Sequence, residues 1–460
     1  MQLIKGFLIA NLFGEKDVNL KFKDKTTIYV GENGIGKTTV LALFYYTITG
    51  QLGMLAKYDF DFIKIDFFNA SYTLNYEEIQ NYAEYSKIRA KRGRIFEKNV
   101  RYIRDSLSER QFQSILEETA NNEELEEYFK IVNKKTKMPK VIFEDAINYI
   151  SNENGSGELG LFIKKIGKIF EEYKIFYFPT YRRIEEDASN LSYASNSRKE
   201  YLTERDIHGE LLDTEQTGEL IQFGMDDVKK RLESLLNTIK NSSIDSFNTM
   251  TSKLLNQYLD GIVDENLNNT TVETIDIALH RVGSKVSKET RNRIIEMYHK
   301  GDLSKDKYLA NLVMNIVNNY NNLKSIDNRI ENFVTKCNNY LYNKKMIYDP
   351  SEIKIEIVHN NIPDKKIPLE KLSSGEKQLI STFSRVFLED ARNLIILFDE
   401  PELSLSLDWQ KNFIFDLSES DNCKMLVSVT HSPFIFDKLF DETYELEDFT
   451  YESGLRNDGY

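Results

Sequence analysis

Thr26-Thr27-Ile28-Tyr29-Val30-Gly31-Glu32-Asn33-Gly34-Ile35-Gly36-Lys37-Thr38-Thr39 is the stretch that decides the fold. Its first five residues read as a short apolar strand. They run directly into Gly31–Thr38, which satisfies the spacing G-x-x-x-x-G-K-[ST]. A helix is predicted next, from about Lys37 to Thr47. Strand, Gly-rich turn and helix, in that order, form the context of a phosphate-binding P-loop. Its glycines let the backbone wrap closely around an anion, with N–H groups aimed inward.

A second strand–turn carries the acids. Leu394 to Glu400 (LIILFDE) is a continuous apolar run, as expected of a buried parallel strand, ending in two carboxylates. Asp399 is placed to hold Mg²⁺ through water, and Glu400 to polarise an attacking water. Leu372-Ser373-Ser374-Gly375-Glu376-Lys377-Gln378, read alone, is a helix N-terminus with a serine cap and N–H groups that attract an anion.

This third element resembles the LSGGQ signature of ABC-type ATPases, in the form found in the SMC, RecF and OLD-like branch. It stands about 25 residues before the Walker B carboxylates, as in that family. Ser428-Val429-Thr430-His431-Ser432-Pro433 follows the next strand and looks like the switch histidine of the same families. The resemblance implies ATP and Mg²⁺ as cofactors. It implies nucleotide contacts from Asn33, Gly34, Gly36, Lys37, Thr38, Thr39, Ser373, Ser374, Gly375 and Glu376. Thr38 and Asp399 are the implied Mg²⁺ ligands, and Glu400, His431 and Lys37 the catalytic groups. Pro401-Glu402-Leu403-Ser404-Leu405-Ser406 corresponds to the D-loop, with Ser406 where the OLD-like pattern has His. No Gln stands at the end of FDFIKIDFF (60–68), so the Q-loop residue is unassigned. In this class the signature of one subunit completes the P-loop site of another, which implies a dimer or a higher assembly of dimers.

The fold class expected is α/β: an ABC-type P-loop head built from both chain ends, with a large, mostly helical insertion. Residues 1–70 form the first lobe, 71–345 the insertion, 346–440 the second lobe, and 441–460 a tail. A strand near 174–185 is expected to return to the head. Within the insertion, 76–135 reads as solvated helices, Asn154–Gly157 as a turn, and 187–215 as a polar stretch without period. The segment 308–341 carries apolar residues every three or four positions, from Leu309 to Leu341. That pattern suits a helical hairpin or short coiled coil, or else a long helix packed in a globular core. The basic run Lys87 to Arg104 is either a nucleic-acid patch or a solvated helix face. Arg182 and Arg183 are placed either to reach phosphate or a dimer partner, or to form surface ion pairs.

Bulk composition sets outer bounds. The 460 residues are 41% hydrophobic and 29% charged, with net charge −13, which argues weakly against a surface given over to DNA. Cys337 and Cys423 have no metal-ligand spacing and fit a reducing compartment. No secretory h-region and no apolar run of membrane-spanning length is found, so a cytoplasmic protein without membrane contact is expected. No Toprim or HNH pattern follows the ATPase residues. That combination resembles the stand-alone ATPase subunits of bacterial anti-phage systems, AriA of PARIS and PtuA of Septu. It implies a sensor or scaffold that controls a separate effector such as a nuclease, triggered by DNA or a phage protein. A RecF- or SMC-like DNA repair ATPase, and a scaffold that holds ATP without hydrolysing it, are the alternatives.

Overall fold

The computed structural model describes residues 3–23, 25–116, 119–144, 146–147, 158–180, 218–220, 225–260, 270–283, 286–362, 365–390 and 393–453. Arg182, Arg183, the 154–157 turn and the 187–215 stretch lie outside the described residues, as do the side chains of 84–97. The chain divides into two compact units. One comprises Met1–Gln222, Ala391–Leu403 and Gln410–Tyr460; the other Phe223–Asp390 with Ser404–Trp409.

The first unit holds two sheets. Strands β1 (Ile4–Leu12), β2 (Lys16–Lys21), β4 (Phe62–Phe67), β5 (Ser71–Asn75) and β13 (Thr450–Glu452) pair antiparallel in the order β13-β2-β1-β4-β5. Their apolar and polar residues alternate, so one face is buried and the other solvated, as in β4, where Ile63, Ile65 and Phe67 are buried. The second sheet has the order β12-β3-β11-β10-β6-β7 and is parallel throughout. It consists of β3 (Thr26–Val30), β6 (Lys174–Phe178), β7 (Gly218–Leu220), β10 (Leu394–Asp399), β11 (Cys423–Thr430) and β12 (Thr443–Glu445). All six residues of β10 are buried, which is why that strand reads as an unbroken apolar run.

Between the sheets runs α1 (Lys37–Ile48), buried from Val40 through Ile48 on every side. A helix apolar all round belongs inside a core. Its Phe44 packs on Phe7 of β1 and on Phe22, while Tyr45 stacks on Tyr177 of β6 with ring centroids 4.9 Å apart. Residues 443–452, grouped by sequence with a tail, instead supply β12 beside β3 and β13 beside β2. Two three-residue strands flanked by acids carry too little periodicity to be recognised. The short α2 (Leu52–Leu55) follows α1, and the segment after β5 builds α3 (Tyr76–Ser106), α4 (Glu109–Leu116), α5 (Asn122–Thr136) and α6 (Glu158–Phe170) in this unit. The 76–135 segment is not wholly solvated, because Ile103, Phe112, Ile115, Tyr128 and Val132 share a small core.

The second unit is mostly helical. It contains α7 (Met225–Asp260), α8 (Val272–Arg281), α9 (Lys288–His299), α10 (Lys307–Asn338), the hairpin β8 (Lys344–Asp349) and β9 (Lys354–His359), and α11 (Ser374–Phe387). The apolar stripe on 308–341 is not a coiled-coil seam. α10 packs against α7, α8, α11 and β8 at once, with Val313, Ile316, Val317 and Tyr320 in a core shared with α8 and α9. Leu309, Leu312, Leu323 and Ile326 are only partly buried. A helix surrounded by several elements needs apolar residues at the same spacing as a seam, so periodicity alone does not separate the two. The last helix, α12 (Leu407–Ser418), carries Phe413, which packs edge-on against Phe398 within the first unit.

Candidate active site

Three parallel strands end side by side, and each delivers one part of the site. β3 leads into the P-loop, β10 into Asp399 and Glu400, and β11 into His431. The edge at the carboxyl ends of parallel strands is where open α/β sheets bind ligands. Two backbone bonds continue the ladder past the strand ends: Gly31 N–H to Thr430 O at 3.3 Å, and Glu400 N–H to Val429 O at 2.9 Å.

The P-loop turns through Gly34 and Gly36, at φ +96° and +98°, a region closed to most side chains. Nothing lies within 4 Å of where a Cβ on Gly34 would stand, so the glycine there answers to its backbone conformation and not to crowding. Gly36 also caps α1, with no side chain on its first-turn N–H groups. Lys37 is 4% exposed, and its Nζ donates to Gly31 O at 2.8 Å and Glu32 O at 3.1 Å. Asn33 and Gly34 are exposed, while Thr38 and Thr39 are partly buried. Thr38 Oγ1 donates to Asp399 Oδ1 at 3.0 Å. A threonine hydroxyl beside a buried aspartate is an all-oxygen donor pair of the type hard divalent cations prefer.

Glu400 adopts φ +51°, an uncommon conformation for a residue with a side chain. It aims the carboxylate back over the sheet end, where Oε1 lies 3.4 Å from Lys37 Nζ and Oε2 pairs with His431 Nδ1. His431 is 43% exposed and Glu400 12%. Glu402, three-sided by donors, is almost fully buried. Its Oε1 accepts from Thr430 Oγ1 at 2.7 Å, His431 N at 3.0 Å and Ser432 N at 3.2 Å. Burial, with the neighbouring Glu400 carboxylate, pushes the Glu402 carboxyl above its usual range, against the pull of the Thr430 hydroxyl. The ligand atoms of Glu400, Glu402 and His431 lie within 4.8 Å of one another.

Motif reasoning passed over three of these groups. Glu402 appeared only as a letter in the D-loop. Lys16 of β2 donates from Nζ to Ile35 O within the P-loop, and Glu447 receives the Glu32 N–H at 3.3 Å. Glu402 stands beside the Walker B acids, which was the one available signal. Lys16 and Glu447 lie far from the loop in sequence and had none.

The signature lies in the second unit, at the start of α11. Ser373 and Ser374 are exposed, and Gly375 is buried. A Cβ on Gly375 would stand 2.3 Å from Ser404 O, which only glycine avoids. Glu376, grouped by sequence with the nucleotide contacts, is turned inward as a cap. Its Oε2 accepts from Ser373 N at 2.8 Å and Ser373 Oγ at 2.9 Å, and Lys344 Nζ donates to both carboxylate oxygens at 2.7 Å. Burial alone would raise the Glu376 carboxyl, but Lys344 and the Ser373 donors outweigh it and hold it below the usual range.

No described helix is long and apolar enough to cross a membrane. No curated protein matches the chain. Among solved structures, the chain is similar to an Smc head bound to the C-terminal winged-helix domain of ScpA, at 16% identity and TM-score 0.21, over 32% of this chain and 47% of that one. The chain therefore spans about half the length of that relative. It is also similar to an Smc head with an extended coiled coil, bound to the C-terminal domain of ScpA, from Pyrococcus furiosus, at 13% identity and TM-score 0.29, over 98% and 96% of the two chains. A family model described as an AAA ATPase domain (AAA_15) matches residues 3–436, nearly the whole chain, and the chain belongs to that family.

Proposed function

We propose that this protein binds and hydrolyses ATP with Mg²⁺, through a P-loop half-site that the signature of a second copy completes. The observation that carries this reading is the meeting of Lys37, Thr38, Asp399, Glu400 and His431 at one sheet edge, beside a P-loop turned through Gly34 and Gly36. Bound Mg·ATP would supply the transferable phosphoryl group and neutralise its charge. The chain's own groups do the rest. N–H groups at the start of α1 and the Lys37 ammonium hold phosphate oxygens. Thr38 and Asp399 offer the cation two oxygens. Glu400 orients a water and draws its proton, and His431 donates to phosphate.

The contacts around Glu400 give this scheme an order. Lys37 and His431 both face the Glu400 carboxylate. Both are also the groups this reading assigns to phosphate, so Glu400 gives up these partners when it acts on water.

The test is phosphate release from ATP by the purified chain, set against Glu400→Gln and Lys37→Ala. Glu400→Gln keeps ATP binding and loses turnover; Lys37→Ala loses both. Equal turnover in all three proteins overturns the reading. As to biological role, the resemblance read from the motifs favours a sensor or scaffold subunit of an anti-phage system that controls a separate effector. Co-purification with proteins encoded beside it, and loss of phage resistance in Lys37→Ala cells, test that role.

A further inference from the structure

We propose that Glu402 is the positioning residue of His431, holding the imidazole in place when Glu400 leaves it for water. This rests on the reading of Glu400 and His431 given above. Two carboxylates lie at the same ring nitrogen: Glu400 Oε2, which is hydrogen-bonded to Nδ1, and Glu402 Oε1, an ion-pair contact 3.0 Å from it. A nitrogen facing two carboxylates carries the hydrogen, which fixes the tautomer and leaves Nε2 on the far side of the ring. Glu400 cannot serve as the permanent holder, because its role requires it to turn toward water. Glu402 has no such freedom.

The lock around Glu402 is built from both ends. Its Oε1 gathers Thr430 Oγ1, His431 N and Ser432 N, so the loop that carries His431 is tied at three successive residues. Its main-chain carbonyl accepts from Gln410 Nε2 at 3.4 Å, and Gln410 Oε1 accepts from Ser432 Oγ at 2.7 Å. Glu402 and Gln410 thereby clamp residues 430–432 from two sides. An amide would serve the hydroxyl and the two backbone N–H groups as well as a carboxylate does. A buried carboxylate is costly where a neutral acceptor would suffice. A charged acceptor strengthens the bonds from the hydroxyl and the two backbone N–H groups, and it alone adds an electrostatic hold on the ring N–H.

The experiment separates the scaffold from the positioning role, using Glu402→Gln, which keeps an acceptor for the loop. ATP affinity stays within about two-fold, while kcat falls by about ten-fold, the usual effect of losing a group that orients a working side chain. In the His431→Ala background the same substitution costs nothing further, since Glu402 acts only through the ring. Wild-type kcat in Glu402→Gln, or a multiplicative loss in the double variant, overturns the proposal.

A second readout needs no turnover, so it stands even if the ATPase reading fails. Ring ¹⁵N spectra at about pH 8.5, where an ordinary imidazole is neutral, report which nitrogen of His431 carries hydrogen. The signal is assigned by its loss in His431→Ala. In Glu400→Gln the ring remains Nδ1–H, because Glu402 still holds it. In Glu400→Gln/Glu402→Gln it shifts toward the Nε2–H form preferred by the free side chain. An Nδ1–H signal already lost in Glu400→Gln shows that Glu402 does not hold the ring.

Discussion

The N-termini of α1 and α11 both belong to nucleotide motifs, yet one is left open and the other is closed by its own side chains. α1 begins at Gly36 with no side-chain cap and no acid in its first turn. α11 begins at Ser373 with a complete capping box, in which Ser373 and Glu376 satisfy each other's backbone N–H groups. The first turn of α1 therefore has N–H groups and a buried ammonium to offer an anion, and no carboxylate to repel it. That of α11 contains a carboxylate, but Lys344 neutralises it and turns it inward. An open terminus binds phosphate by itself. In a capped one the Ser373 hydroxyl is already engaged with Glu376, so under the proposed function it offers a weaker set, useful once phosphate is held elsewhere. The difference matches a division of labour in which the P-loop binds and the signature completes.

Four substitutions break or sharpen this comparison, from the largest effect to the smallest. Lys37→Ala removes the ammonium from the open terminus. Charge-assisted hydrogen bonds contribute about 1.5–3 kcal/mol each, so ATP affinity should fall on the order of 100-fold by calorimetric titration. Gly375→Ala drives a Cβ into Ser404 O. It should destabilise the protein by about 1–3 kcal/mol in thermal unfolding, while ATP affinity at the P-loop stays within two-fold. Ser373→Ala removes one side of the capping box and should cost about 1 kcal/mol, again with binding intact. If Ser373→Ala weakened ATP binding as much as Lys37→Ala, the division between the two termini would be lost.

Lys344→Met carries the smallest effect and a pH signature. Glu376 is held below its ordinary value of 4.5, although its burial opposes this. A depressed carboxyl stabilises the fold fully above its unfolded value and loses that contribution as pH falls through the folded one. The wild type should therefore melt up to about 1 kcal/mol above Lys344→Met at pH 7. The gap should narrow below pH 4.5 as Glu376 protonates. A gap that is constant with pH would place the effect of Lys344 in packing rather than charge.

How far the sequence reveals this site depends on how local each interaction is. Gly34, Gly36 and Lys37 work through the loop they stand in, so their spacing is enough to recognise them. Leu394–Asp399 reads as a buried strand because both its faces are covered. Glu402, Lys16 and Glu447 act on partners 28, 19 and 415 residues away, and their roles follow from the sheet order, which no short pattern encodes. The strand β6 is apolar in sequence, but its place beside β10 depends on a pairing across more than 200 residues. The stripe on α10 was ambiguous for another reason, since several neighbours demand the same apolar spacing as one partner helix does. Glu376 reads as a signature residue from its position, and only Lys344, brought in by the β8–β9 hairpin, shows that its carboxylate faces inward.

The central claim is that the open half-site of one copy is completed by the capped half-site of another. The most direct test is the mass in solution of Glu400→Gln with Mg·ATP, measured by light scattering, alone and combined with Gly375→Ala. The account predicts that ATP doubles the mass of Glu400→Gln, and that Gly375→Ala abolishes the doubling while ATP still binds. A Glu400→Gln protein that binds ATP and keeps the same mass with and without it would contradict the account.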